Sequence, residues 1–182
     1  MAKERIVFVH GAGRFGAAAW PNQHKLALEY DCLFMKRPGG DGSFAADADA
    51  LAELLGEGGH VVAHHDGAVP AMLAAVAHPD TVRSLTLFEP ACLSLTRDLP
   101  ATERYVAAHA GEASPVWEAP LHIVPGVPTL VVTGAWEPLY EEIAGYLATT
   151  GAVHVHAAGD HRPQDSAQGH QALVDFIRVH SL

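Results

Sequence analysis

The chain has 182 residues, 49% of them apolar and 18% charged. That is the length of one domain with a sizeable core, and it excludes a disordered chain or a coiled coil. Eleven Lys and Arg stand against 21 Asp and Glu, a net charge of −10, which argues against nucleic acid and anionic membranes as partners.

The opening Met1-Ala2-Lys3-Glu4-Arg5 leads into a five-residue apolar strand, too short and too charged for a signal peptide. No run of about 20 apolar residues offers a membrane span. Strands are expected at Ile6–His10, Cys32–Met35, His60–His64, Ser84–Phe88, Thr129–Thr133 and Val153–Ala157. Most are continuous apolar runs, as strands covered on both faces should be. Helices are expected between them, at Ala17–Glu29, Phe44–Gly56, Gly67–His78, Pro138–Thr149 and Ser166–His180. This alternation predicts right-handed βαβ units on a mostly parallel sheet, a single α/β domain layered helix–sheet–helix. One stretch breaks it. From about Cys92 to Val127 four prolines appear, with a fifth at Pro128, around one short helical candidate, Ala101–Ala110. An insertion of that length reads as a small lid or an irregular crossover.

Cys32 and Cys92 are the only cysteines, so there is no disulfide framework and no C-x-x-C knuckle. A reducing, cytoplasmic setting is expected, with no cofactor. Thirteen histidines make the charge steeply pH-dependent; protonating all of them would carry it from −10 to +3.

Several strand ends carry unusual residues. They read His10-Gly11-Ala12-Gly13, Arg37-Pro38-Gly39-Gly40-Asp41-Gly42-Ser43, Ala63-His64-His65-Asp66-Gly67, Gly134-Ala135-Trp136-Glu137-Pro138 and Gly159-Asp160-His161. In order, spacing and strand context these resemble the α/β-hydrolase family over nearly the whole chain. The resemblance implies a six-stranded sheet in the order 2-1-3-4-5-6, lacking the family's two leading strands, with ligand bound at the switch point beyond the carboxyl ends. It also implies His161 as base, Glu137 as its acid, and the amides of Ala12 and Asp66 as oxyanion donors.

One position departs. The family's nucleophile elbow is Gly-x-Ser-x-Gly, and here His65 stands at the Ser position. Histidine tolerates the positive φ of such a turn. A neutral imidazole there can attack an activated acyl carbon or act as general base, a role worth about 10²–10⁴-fold. Asp66 opposes charge developing in the oxyanion hole, and its simpler role is to cap the following helix. His10, Gly11, Arg14, Phe15 and Trp136 are expected around the substrate, with His10 also bracing the oxyanion loop. His64 is expected beneath the elbow, and Trp20 in the core. A metal triad of His65, His161 and Glu137, with His10, His64 and Asp160 nearby, is a lesser reading, because no H-x-x-E-H or His-x-His spacing links these residues.

The sequence thus predicts a small-molecule enzyme, with ester-type hydrolysis through His65 as its leading form. The alternatives are non-hydrolytic acid/base chemistry (epimerase, cyclase or lyase type) and a ligand-binding member without catalysis. The sequence leaves the oligomeric state open, a homodimer included.

Overall fold

In the computed structural model, residues 2–38, 43–112 and 126–182 are described. Six strands form one sheet: β1 (Arg5–Val9), β2 (Asp31–Met35), β3 (Gly59–His64), β4 (Val82–Phe88), β5 (Thr129–Thr133) and β6 (Val153–His156). All neighbours run parallel, in the order β2-β1-β3-β4-β5-β6. β3 and β5 are buried at every position, whereas the edge strands β2 and β6 are only partly covered. This is why β1 and β5 read as nearly unbroken apolar runs and β6 reads Val-His-Val-His.

Alternate residues of each strand feed two cores. Val7, Val61, Leu85, Leu87 and Val131 meet α1 (Phe44–Leu55), α2 (Ala68–Ala77) and α4 (Pro138–Thr149). Ile6, Phe8, Val62, Phe88 and Val132 meet α5 (Ala167–Val179) and the segment around Trp20. The result is three layers, as the sequence predicts. Trp20 is fully buried, 5.2 Å from Phe8 between ring centres. Local chemistry sets the helix ends. Ser43 and Ser166 accept hydrogen bonds from Ala46 and Gly169 at the starts of α1 and α5. Pro138 opens α4, where its missing N–H costs nothing.

One expected helix is absent. Ala17–Glu29 forms two short 3-10 helices, Gly16–Ala19 and His24–Leu28, rather than one α-helix. Pro21 is the reason: it pushes the preceding residue out of the α region, and Trp20 sits at φ −130° and ψ 53°.

The first half of the expected lid holds a 3-10 turn (Leu93–Leu95) and α3 (Pro100–Ala108). Glu142 of α4 accepts hydrogen bonds from the backbone N–H groups of Ala101 and Thr102 and from the Thr102 hydroxyl. This anchors α3 at its N-terminus, where a carboxylate is favoured. The rest of the expected lid, 113–125, and the turn residues 39–42 lie outside the described residues. No helix among the described residues is long and apolar enough to cross a membrane.

Candidate active site

The four described non-glycine residues at positive φ are His65 (54°), Glu89 (46°), Ala135 (57°) and Asp160 (48°). They follow the carboxyl ends of β3, β4, β5 and β6 respectively. Each such residue costs on the order of 1–2 kcal/mol, so the strain gathers along the carboxyl edge of the sheet, and His65 sits beside the point where the strand order reverses.

His65 occupies the elbow expected for it. A Cβ on Gly11 would lie 2.8 Å from His65 Cβ, and one on Gly67 would lie 2.5 Å from His10 O. Both glycines are therefore required for β1's loop and the elbow to close on each other. The rings of His65 and His161 stand 4.9 Å apart, nearly edge to face at 78°. The two imidazoles paired by the resemblance are direct neighbours in space. His64 lies beneath them, its ring 5.0 Å from that of His161. Its Nε2 donates to the His161 carbonyl at 2.7 Å, so His64 fixes the His161 turn as well as packing under the elbow. Burial, then the neighbouring His65 and Arg162, push the His161 pKa down to about 4. His161 is therefore a neutral imidazole at pH 7 and a weak base.

Asp66 does not cap α2; no side chain does. Its carboxylate instead faces Arg37 at 3.1 Å, and His65 Nδ1 at 3.5 Å. Burial alone would raise the Asp66 pKa, but His65 and Arg37 outweigh it and hold the carboxyl below its ordinary range. Arg37 also bonds Asp47 at 2.6 Å and the His10 carbonyl at 3.2 Å. The Arg37 side chain is only 9% exposed and that of Asp47 is fully buried. This network joins the loop after β1, the elbow and α1, and the Arg37 guanidinium offsets the charge of Asp66. Arg37 was visible in sequence only as the residue before a Pro-Gly turn.

His10 is buried beneath the loop after β1. Its Nδ1 lies 2.8 Å from Gly11 O, and its Nε2 accepts from the Arg37 N–H at 3.1 Å. The carbonyl requires Nδ1 to be the donor, which fixes the tautomer. His10 thus braces the loop, and its expected place beside the substrate is corrected. Gly11 is buried under the elbow, and Ala12 is exposed at the rim. Arg14 pairs with Asp165 at 3.7 Å. Phe15, 59% exposed, meets His10 edge to face.

Glu137 does not reach His161. Its carboxylate accepts from the Leu139 N–H at 3.4 Å, at the start of α4. His161 Nδ1 is buried without a hydrogen-bond partner. The orienting acid implied for Glu137 is therefore corrected to a helix-capping role. The buried carboxyl of this edge is Glu89, which the sequence reading missed. Its Oε1 accepts from Gly134 N at 2.7 Å and from Trp136 Nε1 at 3.1 Å, while Oε2 has no partner. Burial raises the Glu89 pKa to about 7. Through Trp136, Glu89 reaches the site: that ring is 5.8 Å from His161 and 6.0 Å from Tyr140. Tyr140, a core residue of α4, closes the cluster at 5.3 Å from His161 and 6.1 Å from His65.

Three ligand atoms of His65, His161 and Glu137 do not converge. Among the described residues, the one triple of potential metal ligands is Glu141, His154 and His156, elsewhere on the sheet. Cys92 is no substitute nucleophile: it is fully buried, its thiol is 3.5 Å from Met72 Sδ, and burial pushes its pKa up to about 12.

No protein-family model matches the chain, and neither does any curated protein. Solved structures do. NosK from Streptomyces actuosus superposes with a TM-score of 0.71 at 17% identity, over 98% of this chain and 99% of that one. An epoxide hydrolase from Bacillus megaterium gives 0.72 at 14% identity, over 96% and 93%. A carboxylesterase from Nitrososphaera gargenis gives 0.67 at 13% identity, over 97% and 90%. The chain has the α/β-hydrolase fold.

Proposed function

We propose that this α/β-hydrolase-fold chain hydrolyses a small, activated acyl compound, with His65 taking the place of the serine nucleophile. The observation that carries the reading is His65 at φ 54° on the elbow with its ring 4.9 Å from the neutral ring of His161. That some structural neighbours are an epoxide hydrolase and a carboxylesterase supports hydrolysis at the level of the fold.

In this reading a neutral ring nitrogen of His65 attacks the acyl carbon, and the carbonyl π electrons move to oxygen. The Ala12 and Asp66 N–H groups hold that oxyanion, a donor pair whose members are worth about 10²–10³ each in rate. Collapse expels the alkoxide, which takes the proton of the other His65 ring nitrogen, and leaves a neutral acyl-imidazole on His65. Water then attacks this labile acyl group while His161 takes its proton; collapse releases the acid, and His161 returns the proton to the freed His65 nitrogen. With its pKa near 4, His161 is a poor base, so good leaving groups are required. Trp136 and Phe15, both exposed at the rim, give an apolar wall suited to a small substrate.

The test is turnover of activated short-chain esters. Wild type should exceed both His65→Ala and His161→Ala by at least about 10²-fold; equal rates in all three would remove the proposal. The partnerless Nδ1 of His161 favours a second reading, a ligand-binding member without turnover. It predicts that His65→Ala keeps its ligand affinity. Non-hydrolytic proton transfer beside a carbonyl predicts instead solvent deuterium entering a bound ketone or ester.

A further inference from the structure

Away from the His65 site, β6 carries two histidines two residues apart, His154 and His156. Alternation along a strand puts both on one face. β6 is the edge strand of the sheet, and the α4 residue Glu141 reaches that face. Glu141 Oε2 lies 2.7 Å from His156 Nε2 and 3.6 Å from His154 Nε2. All three atoms fall within 4.8 Å of one another. The carboxylate is oriented from behind, because its Oε1 accepts the Ala135 N–H at 3.1 Å. The Thr133 hydroxyl is 2.7 Å from His154 Nε2.

We propose that Glu141, His154 and His156 form a site for one divalent transition-metal ion of the zinc class. Two imidazoles and one carboxylate on one side of an ion, with open positions opposite, suit such a metal. Zinc ligands at about 2.0–2.2 Å from a tetrahedral ion lie roughly 3.3 Å from each other. Small side-chain movements bring the present spacings to that value, the shortest opening and the widest closing. The His156 side chain is 59% exposed, so an ion enters from solvent and keeps water in its remaining positions. Oε1 stays bonded to Ala135, which couples the ion to the turn that carries Trp136 and hence to the wall of the His65 site. That coupling does not depend on any chemistry at His65.

The test uses the full chain without an affinity tag. Titration calorimetry with Zn²⁺ alone should show one site per chain, and Co²⁺ should give the visible absorption of a low-coordinate nitrogen–oxygen site. His154→Ala, His156→Ala and Glu141→Gln should each weaken Zn²⁺ binding by at least about tenfold, since even second-shell losses cost 10–100-fold. His78→Ala, at an exposed histidine just past the end of α2, should leave it unchanged. Saturating Zn²⁺ should raise the thermal midpoint of the wild type by roughly 5 °C or more, and of the double variant His154→Ala/His156→Ala not at all. The proposal is overturned if wild type takes up no Zn²⁺, or if the double variant, folded by circular dichroism, binds it as wild type does.

Discussion

The two edges of the sheet solve the same turn problem with different residues. At the amino edge the positive-φ positions are glycines: Gly56 and Gly58 before β3, and Gly151 before β6. At the carboxyl edge Gly13, Gly16 and Gly159 also take positive φ, but there His65, Glu89, Ala135 and Asp160 do so as well. Charges differ in the same way. Arg5–Asp31 at the amino edge is an open pair, 35% and 42% exposed, whereas Arg37–Asp47 behind the elbow is almost wholly enclosed. One edge is relaxed and solvated. The other holds strained backbone and buried charge, as expected where side chains are placed for chemistry rather than for stability.

The contrast is broken most sharply at the two arginines. Arg37→Met removes a charged partner from the buried Asp47 and should cost about 3–5 kcal/mol. Arg5→Met should cost no more than about 1 kcal/mol. Urea denaturation of the two variants measures this, and equal losses would erase the distinction. Next come the turns. Gly58→Ala combines positive φ with a Cβ 3.0 Å from Thr81 O, and should destabilise by about 2 kcal/mol. Ala135→Gly, on an exposed carboxyl-edge turn, should stabilise by up to about 1 kcal/mol.

The remaining effects concern pH. His161 is lowered to about 4 from an ordinary 6.5, so the unfolded chain binds the extra proton first. The stability it lends is complete above pH 6.5 and is lost as pH falls toward 4. Glu89 is raised to about 7 from 4.5. Its contribution is complete below pH 4.5 and is lost as pH rises through 7. Denaturant midpoints from pH 4.5 to 7.5 should flatten on the acid side in His161→Asn and on the neutral side in Glu89→Gln.

The strands and their order were readable because a parallel sheet buried on both faces must be written in apolar runs, and because the turns between carry Gly, His and Pro in a recognisable sequence. The His65–His161 pairing was readable for the same reason: both sit at strand ends that one topology brings together. What escaped reading depends on side-chain direction. Glu137 and Glu89 each precede a proline after a strand, and nothing in that pattern says which carboxyl turns inward. Arg37 links Asp47, Asp66 and His10 across three elements, a contact that no local spacing encodes. The His-x-His of β6 was plain in the sequence, but its partner Glu141 lies on α4 and meets it only when helix and strand pack. The helix expected at 17–29 failed because Pro21 outweighed the apolar spacing around it.

Two imidazoles face each other at the strained edge, and His161 senses the charge of His65. Proton titration of the His65 and His161 ring resonances by NMR tests this directly. In wild type His161 should remain neutral down to about pH 4, and His65→Ala should move its midpoint upward, because a neighbouring positive charge has been removed. A His161 that titrates near 6.5 in wild type, with no response to the loss of His65, would contradict the account.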